Sequence, residues 1–214
     1  LASAALAWLE RVAARDAKHG DAARLKNYGF FLEAPAPRAV DALRPYVAQA
    51  ADGFAKAKSR YLAWSVSYAF AEHAAFFARV EELVGARGAF EVQIHEPRTA
   101  LLALAEKHGA HRAIAEKLKK MHTRCAKHLD GGGASGARLH DTIWRALAEY
   151  FGATYERWAQ LARLCYAYEL EPPAAEVAQI ALALTPHASG AGGGGGADHY
   201  RPADTIFSVF KRGR

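Results

Sequence analysis

Cysteine and methionine are nearly absent from this 214-residue chain, which holds two of the first and one of the second. Cys125 and Cys165 leave one conceivable disulfide. The helical pattern described below sets them about 30 Å apart at 1.5 Å per residue, beyond disulfide reach, so both are expected to be buried free thiols. Long uncharged runs are missing too. No stretch reaches the roughly 18 to 20 apolar residues that a membrane helix needs, because charges interrupt every long apolar segment. Strand-like alternation is confined to Glu91-Val-Gln-Ile, too little for a sheet.

The motifs of common chemistry are also absent. There is no CxxC or HExxH, and His122, Cys125 and His128, spaced by threes, spread over about 120° of a helix instead of converging on an ion. His111 and His122 stand eleven residues apart, roughly 16 Å along a helix and too far to share a metal. The glycine-rich stretch 131–136 follows a helical pattern where a phosphate loop must follow a strand, and no Gly-Lys-Ser/Thr occurs. No Gly-x-Ser-x-Gly elbow is present, and serines in turns are too few to nominate a triad. These absences predict a protein that is not an enzyme, with no catalytic residue, no cofactor and no metal site.

What is present is helical periodicity. A hydrophobic fraction of 51% supports a sizeable core. The segment from Glu116 to Tyr166 reads as two long amphipathic helices joined by a Gly-rich turn. Ile114, Leu118, Met121, Cys125 and Leu129 recur at steps of three and four, as do Leu139, Ile143, Leu147, Phe151, Thr154, Trp158, Leu161 and Cys165. Asp130-Gly-Gly-Gly-Ala-Ser-Gly should end the first helix, Ser135 should cap the second, and the pair should run antiparallel.

Earlier in the chain, 2–18 reads as a helix stopped by His19-Gly20. Asp21 should cap the next, whose apolar side is Leu25, Tyr28, Phe30, Phe31 and Leu32, ending at Ala34-Pro35-Ala36-Pro37. Leu43, Val47, Ala50, Phe54, Ala57, Tyr61, Trp64 and Tyr68 form a sustained heptad seam, with Pro45 pointing to a start at Arg44. Phe70 to Val84 extends the helical character. A hinge is expected over 85–97, then a short helix with Leu101, Leu102 and Leu104, and after Pro172-Pro173 a last helix from Ala174 to Leu184. The expected fold is an all-α, stacked antiparallel helical bundle over 1–185, followed by a Gly-rich linker at 186–203 and a short basic tail at 204–214. Disorder, docking and a basic membrane-surface hook all fit that tail. The chain begins at Leu1 with no initiator methionine, so it is expected to be a piece of a longer protein.

The net charge of +6 is concentrated locally. Lys107, Arg112, Lys117, Lys119, Lys120, Arg124 and Lys127 face a single acid, Glu116, between 107 and 128. Helical arithmetic sets Lys117, Lys120, Arg124 and Lys127 away from the apolar stripe. They read first as a solvated outer face and second as an anion or partner surface, for anionic lipid or nucleic acid.

Several segments together carry a family resemblance: Arg24-Leu-Lys-Asn-Tyr-Gly-Phe-Phe, Leu43-Arg-Pro-Tyr-Val, Phe76-Phe-Ala-Arg-Val-Glu, Lys127-His-Leu, Ile143-Trp-Arg-Ala-Leu, Tyr155-Glu-Arg-Trp and Cys165-Tyr. In this order they resemble the C-terminal region of the exocyst complex component 1 family, from about Asp21 to Thr185. The resemblance implies a rod of stacked helical bundles in the complex that tethers secretory vesicles to the plasma membrane. It implies other exocyst subunits as partners; small GTPases stand as further candidates, anionic plasma-membrane lipid stands on the basic face alone and not on the resemblance, and no nucleic acid is expected. It also implies a cytoplasmic location, peripheral at exocytic sites. The phosphoinositide-binding domain of that family lies near the N-terminus of the full protein and is not in this chain.

Overall fold

The structure is a computed structural model that describes residues 2–34, 40–129 and 133–185. The turn at 130–132, the linker 186–203 and the tail 204–214 lie outside the described residues. Among those described there is no strand, and the fold is all-α. No described helix is long and apolar enough to cross a membrane.

The residues group into two compact units. The first holds 2–61 and 125–143, and the second 62–124 and 144–185. In the first, α1 (Ala2–Ala13) and α2 (Gly20–Glu33) pack through Leu6, Leu9 and Tyr28. Sequence periodicity carries α1 on to Lys18, but the helix stops at Ala13. The Asp16 carboxylate accepts from the amides of Lys18 (3.0 Å) and His19 (2.8 Å), a local alternative to helical bonding. Gly20 then approaches so closely that a Cβ there would lie 2.1 Å from the Ala13 carbonyl oxygen. Because α2 starts at Gly20, Asp21 is not its cap. It lies in the first turn and accepts from Arg24 (3.1 Å) and Arg60 Nη2 (2.7 Å). Phe30, expected on the apolar side, is exposed, whereas Tyr28 is buried and its hydroxyl donates to Glu10.

After a single 3₁₀ turn at Asp41–Leu43, α3 spans Arg44–Ala69, starting where Pro45 requires. Its heptad seam holds through Ala50, Ala57 and Tyr61, all buried. A helix of 3.6 residues per turn carries a strict heptad back by about 20° per repeat. Past Tyr61 the buried side passes to Leu62, Ser65 and Val66, and Tyr68 is left 54% exposed. In the first unit α3 lies against α2: a Cβ on Gly53 would meet the Tyr28 ring at 2.6 Å.

In the second unit, Phe70 breaks the helical run with φ −120° and ψ 41°, and α4 (Ala71–Arg87) follows. No glycine or proline marks that break. Phe70 is fully buried, stacked at 4.3 Å on Phe151. Gly88 ends α4 at φ 85°, and a 3₁₀ turn with the one-turn α5 (Val92–His95) follows, so the Glu91-Val-Gln-Ile segment is helical. Next come α6 (Arg98–His108), α7 (His111–Leu129), α8 (Gly133–Tyr166) and α9 (Ala174–Ala183). The lengths of α3, α7 and α8 run from one unit into the other, each contributing residues to both.

At 34 residues α8 is the longest of the described elements. It begins two residues before Ser135, whose hydroxyl donates to Glu33 Oε2 (2.6 Å) and so is not the expected cap. Its buried side is wider than the predicted stripe. Trp144, Ala148, Tyr155 and Tyr166 are buried as well, and Thr154 returns its hydroxyl to the Tyr150 carbonyl (2.8 Å). The Tyr155 hydroxyl donates to the Pro172 carbonyl (3.1 Å), tying α8 to the segment before α9, where the Glu171–Pro172 bond is cis.

Candidate interaction surface

The apolar stripe of α7 is buried as its spacing predicts: Ile114, Leu118, Met121, Cys125 and Leu129 are each at most 2% exposed. The four cations singled out from the sequence do not share one environment. At about 100° per residue, Lys117 and Arg124 fall on the flank of the helix, while Lys120 and Lys127 point opposite the stripe. Lys117 and Arg124 are half-buried, and Lys120 and Lys127 are exposed. Lys127 belongs to the first unit and the other three to the second.

Each flanking cation lies over a ring. Lys117 Nζ is 5.4 Å from the centre of Phe70, and burial holds its pKa below the usual lysine value. Arg124 Cζ is 4.1 Å from the centre of Tyr68, which packs in turn 5.4 Å from Trp64. Among the described residues none of Lys117, Lys120 and Arg124 forms an ion pair, whereas their neighbour Lys119 pairs with Glu116 at 3.4 Å. The sequence reading missed Trp64 and Tyr68, which it assigned to the heptad core. The usable signal was the slip of a strict heptad against a 3.6-residue helix.

Of the histidines and cysteines of α7, His128 and Cys125 share Tyr61 as a neighbour, while His122 lies apart. His122 meets the edge of Trp144 at 4.7 Å. His128 Nδ1 lies 3.2 Å from the Tyr61 hydroxyl, and its ring abuts that of His19 at 5.4 Å. Cys125 is a buried free thiol whose pKa is pushed up to about 12 by burial, partly offset by a hydrogen bond with Tyr61. Cys165 is likewise buried and free, its pKa also raised by burial. Among the described residues no three His, Cys, Asp or Glu side chains gather where they could hold an ion.

Inside the second unit His73 is a buried, strongly perturbed group. It is 3% exposed, stacked on Trp158 at 5.7 Å and edge-on to Phe70, and its Nδ1 finds no hydrogen-bond partner. Burial, reinforced by the charge of Lys117, lowers its pKa to about 4, so the ring is neutral near pH 7. The ring of His108 lies 5.9 Å away. His73 belongs to an aromatic core formed with Phe77, Phe151 and Trp158.

A half-open cavity of about 220 Å³ lies among α3, α4 and α8 of this unit, lined by Ala63, Val66, Ala74, Phe77, Tyr150 and Trp158 among others. Its two charged residues, Glu81 and Arg157, pair with each other and leave no net charge for a ligand. The cavity also carries the hydroxyls of Ser67 and Thr154, and its charges are matched, unlike those of the α7 surface. The surface pairs exposed aromatic area with unpaired cations, the composition of a contact patch.

No curated protein and no solved structure matches the chain significantly. A family description, "Exocyst complex component Sec3, C-terminal", matches residues 11–168. That span takes in most of both units, the aromatic core around Trp158 and the whole of α7 and its cations. The chain therefore belongs to the exocyst Sec3 C-terminal family, a family of tethering-complex components.

Proposed function

We propose that this chain is the C-terminal region of exocyst complex component 1 and that it acts without catalysis. In this reading it helps tether secretory vesicles to the plasma membrane through helix–helix contacts with other exocyst subunits. The observation that carries the reading is the family match over residues 11–168 of an all-α chain. The reading puts the protein in the cytoplasm, peripheral at exocytic sites, with small GTPases and anionic lipid as secondary partners. Direct binding of nucleic acid or lipid by the basic helix is the weaker reading, because Lys117 and Arg124 lie over aromatic rings instead of standing free above the surface.

The test is association with separately purified exocyst subunits at physiological salt, with helical content checked by circular dichroism. At least one subunit should bind. A helical, cooperatively folding chain that binds none of them would remove the proposal.

A further inference from the structure

Resting on that proposed function, we infer that the Trp64–Tyr68–Arg124 ladder, with Lys117 and Lys120, is the docking surface for an acidic helix of another exocyst subunit. Four features of the second unit lead there. Tyr68 is 54% exposed, past the point where the α3 seam leaves the core, so a large aromatic ring is left on the surface. Arg124 lies over that ring at 4.1 Å and Trp64 packs beside it at 5.4 Å. Tryptophan, tyrosine and arginine are the residues most enriched where truncation costs a protein interface the most. The three cations form no ion pair among the described residues, while Lys107 and Lys119 nearby are both paired.

Geometry separates a peptide partner from a phosphate ligand. A guanidinium that lies over a ring uses its face for that contact and keeps its in-plane N–H groups for a planar acceptor. That arrangement suits the two-pronged hydrogen bonding of a carboxylate or a phosphate alike, so the layout of the cations decides between them. Lys117, Lys120 and Arg124 stand at successive steps of three and four residues along α7. This is a row about 10 Å long, not a cup around one headgroup. Carboxylates at the same steps on a partner helix would meet the row in register, and an apolar side chain between them would cover Tyr68. Lys117 is already partly desolvated, so its contact with a carboxylate would be only weakly screened by salt.

The experiment uses the full chain and each separately purified exocyst subunit, with binding measured by titration. Vesicles containing phosphatidylinositol bisphosphate and heparin serve as anionic comparators. For the subunit that binds, Arg124→Glu and Lys120→Glu should each weaken binding about tenfold or more, and Tyr68→Ala comparably. Arg124→Lys should weaken it less than Arg124→Glu, and Lys119→Glu, an equal charge change on another side of α7, should stay within about twofold. Restored binding between Arg124→Glu and a subunit carrying lysine in place of its acidic residues would establish the pairing directly. Unfolding midpoints of the variants identify any loss that is merely structural, and the Lys120→Glu result, at an exposed position, stands independently of them.

Subunit binding that is intact in both reversals overturns the inference and leaves the proposed function standing. The same holds if Lys119→Glu weakens binding equally, or if the reversals abolish only vesicle or heparin binding. If no subunit binds the unaltered chain, the proposed function fails and the inference fails with it.

Discussion

A histidine enclosed by Phe70 and Trp158, with an unpartnered ring nitrogen, makes the second unit sensitive to acid. The pKa of His73 is lowered from 6.5 to about 4 by burial first and by Lys117 second, with His108 acting the same way and Glu72 opposing. Between these values the unfolded chain holds a proton that the folded chain does not. Stability therefore falls as pH drops from about 6.5 toward 4, and levels off once the folded ring also protonates. A shift of that size corresponds to about 3 kcal/mol. Replacing the ring by an apolar one of similar shape removes this dependence together with the orphan nitrogen. In urea denaturation, the stability of His73→Phe relative to the unaltered protein should rise by about 3 kcal/mol between pH 7 and pH 4. A difference that stays constant over that range would show that His73 does not titrate on unfolding.

At the scale of elements, the sequence was most readable where one periodicity governs a whole helix. The α7 stripe is buried residue for residue, and α3 begins at Arg44 as Pro45 demands. Three features resisted such reading, two because tertiary contacts decide them and one because a local side-chain bond overrides the periodicity. Phe70 breaks a helix without glycine or proline, since its ring is drawn into the core against Phe151. Asp16 ends α1 by capturing two amides, and Tyr155 is buried on a side of α8 that a single stripe leaves polar. At the candidate surface, charge spacing singled out Lys117, Lys120, Arg124 and Lys127, of which Lys127 falls in the first unit, while the exposed Tyr68 was hidden inside an apparent heptad.

The segment 85–97 gives a sharp test, because its two glycines face opposite demands in equally open space. An added Cβ would meet nothing within 4 Å at either Gly85 or Gly88. Gly85 lies inside α4, where alanine is the better helix former, whereas Gly88 sits at φ 85° and ψ 162°, a region open essentially to glycine alone. Gly85→Ala should therefore stabilise by about 0.5–1 kcal/mol, and Gly88→Ala should destabilise by about 1–3 kcal/mol. Equilibrium denaturation of the two variants checks the signs. A Gly88→Ala protein as stable as the parent would mean that α4 ends in some other way.

For the whole molecule, the question is how much of the chain the fold and its binding require. The family match ends at residue 168, and the last described helix, α9, ends at Ala183. α9 supplies Val177 and Ala181 to the core, so a cut before it would expose apolar surface. Beyond it, the run from Gly192 to Gly196 has no side chains to bury. We propose that 1–185 is the cooperative unit. A chain ending at Thr185 should keep its unfolding midpoint within about 2 °C of the full chain, less than 1 kcal/mol is expected to move it. It should also bind the same exocyst subunit with unchanged affinity. A second truncation at Pro172, which removes α9, should lower the midpoint by many degrees through the loss of Val177 and of the Pro172-bound end of Tyr155. A midpoint that drops as far on removal of 186–214 as on removal of α9 would assign the tail a place in the folded unit. Unchanged stability with lost subunit binding would instead make the tail part of the binding surface.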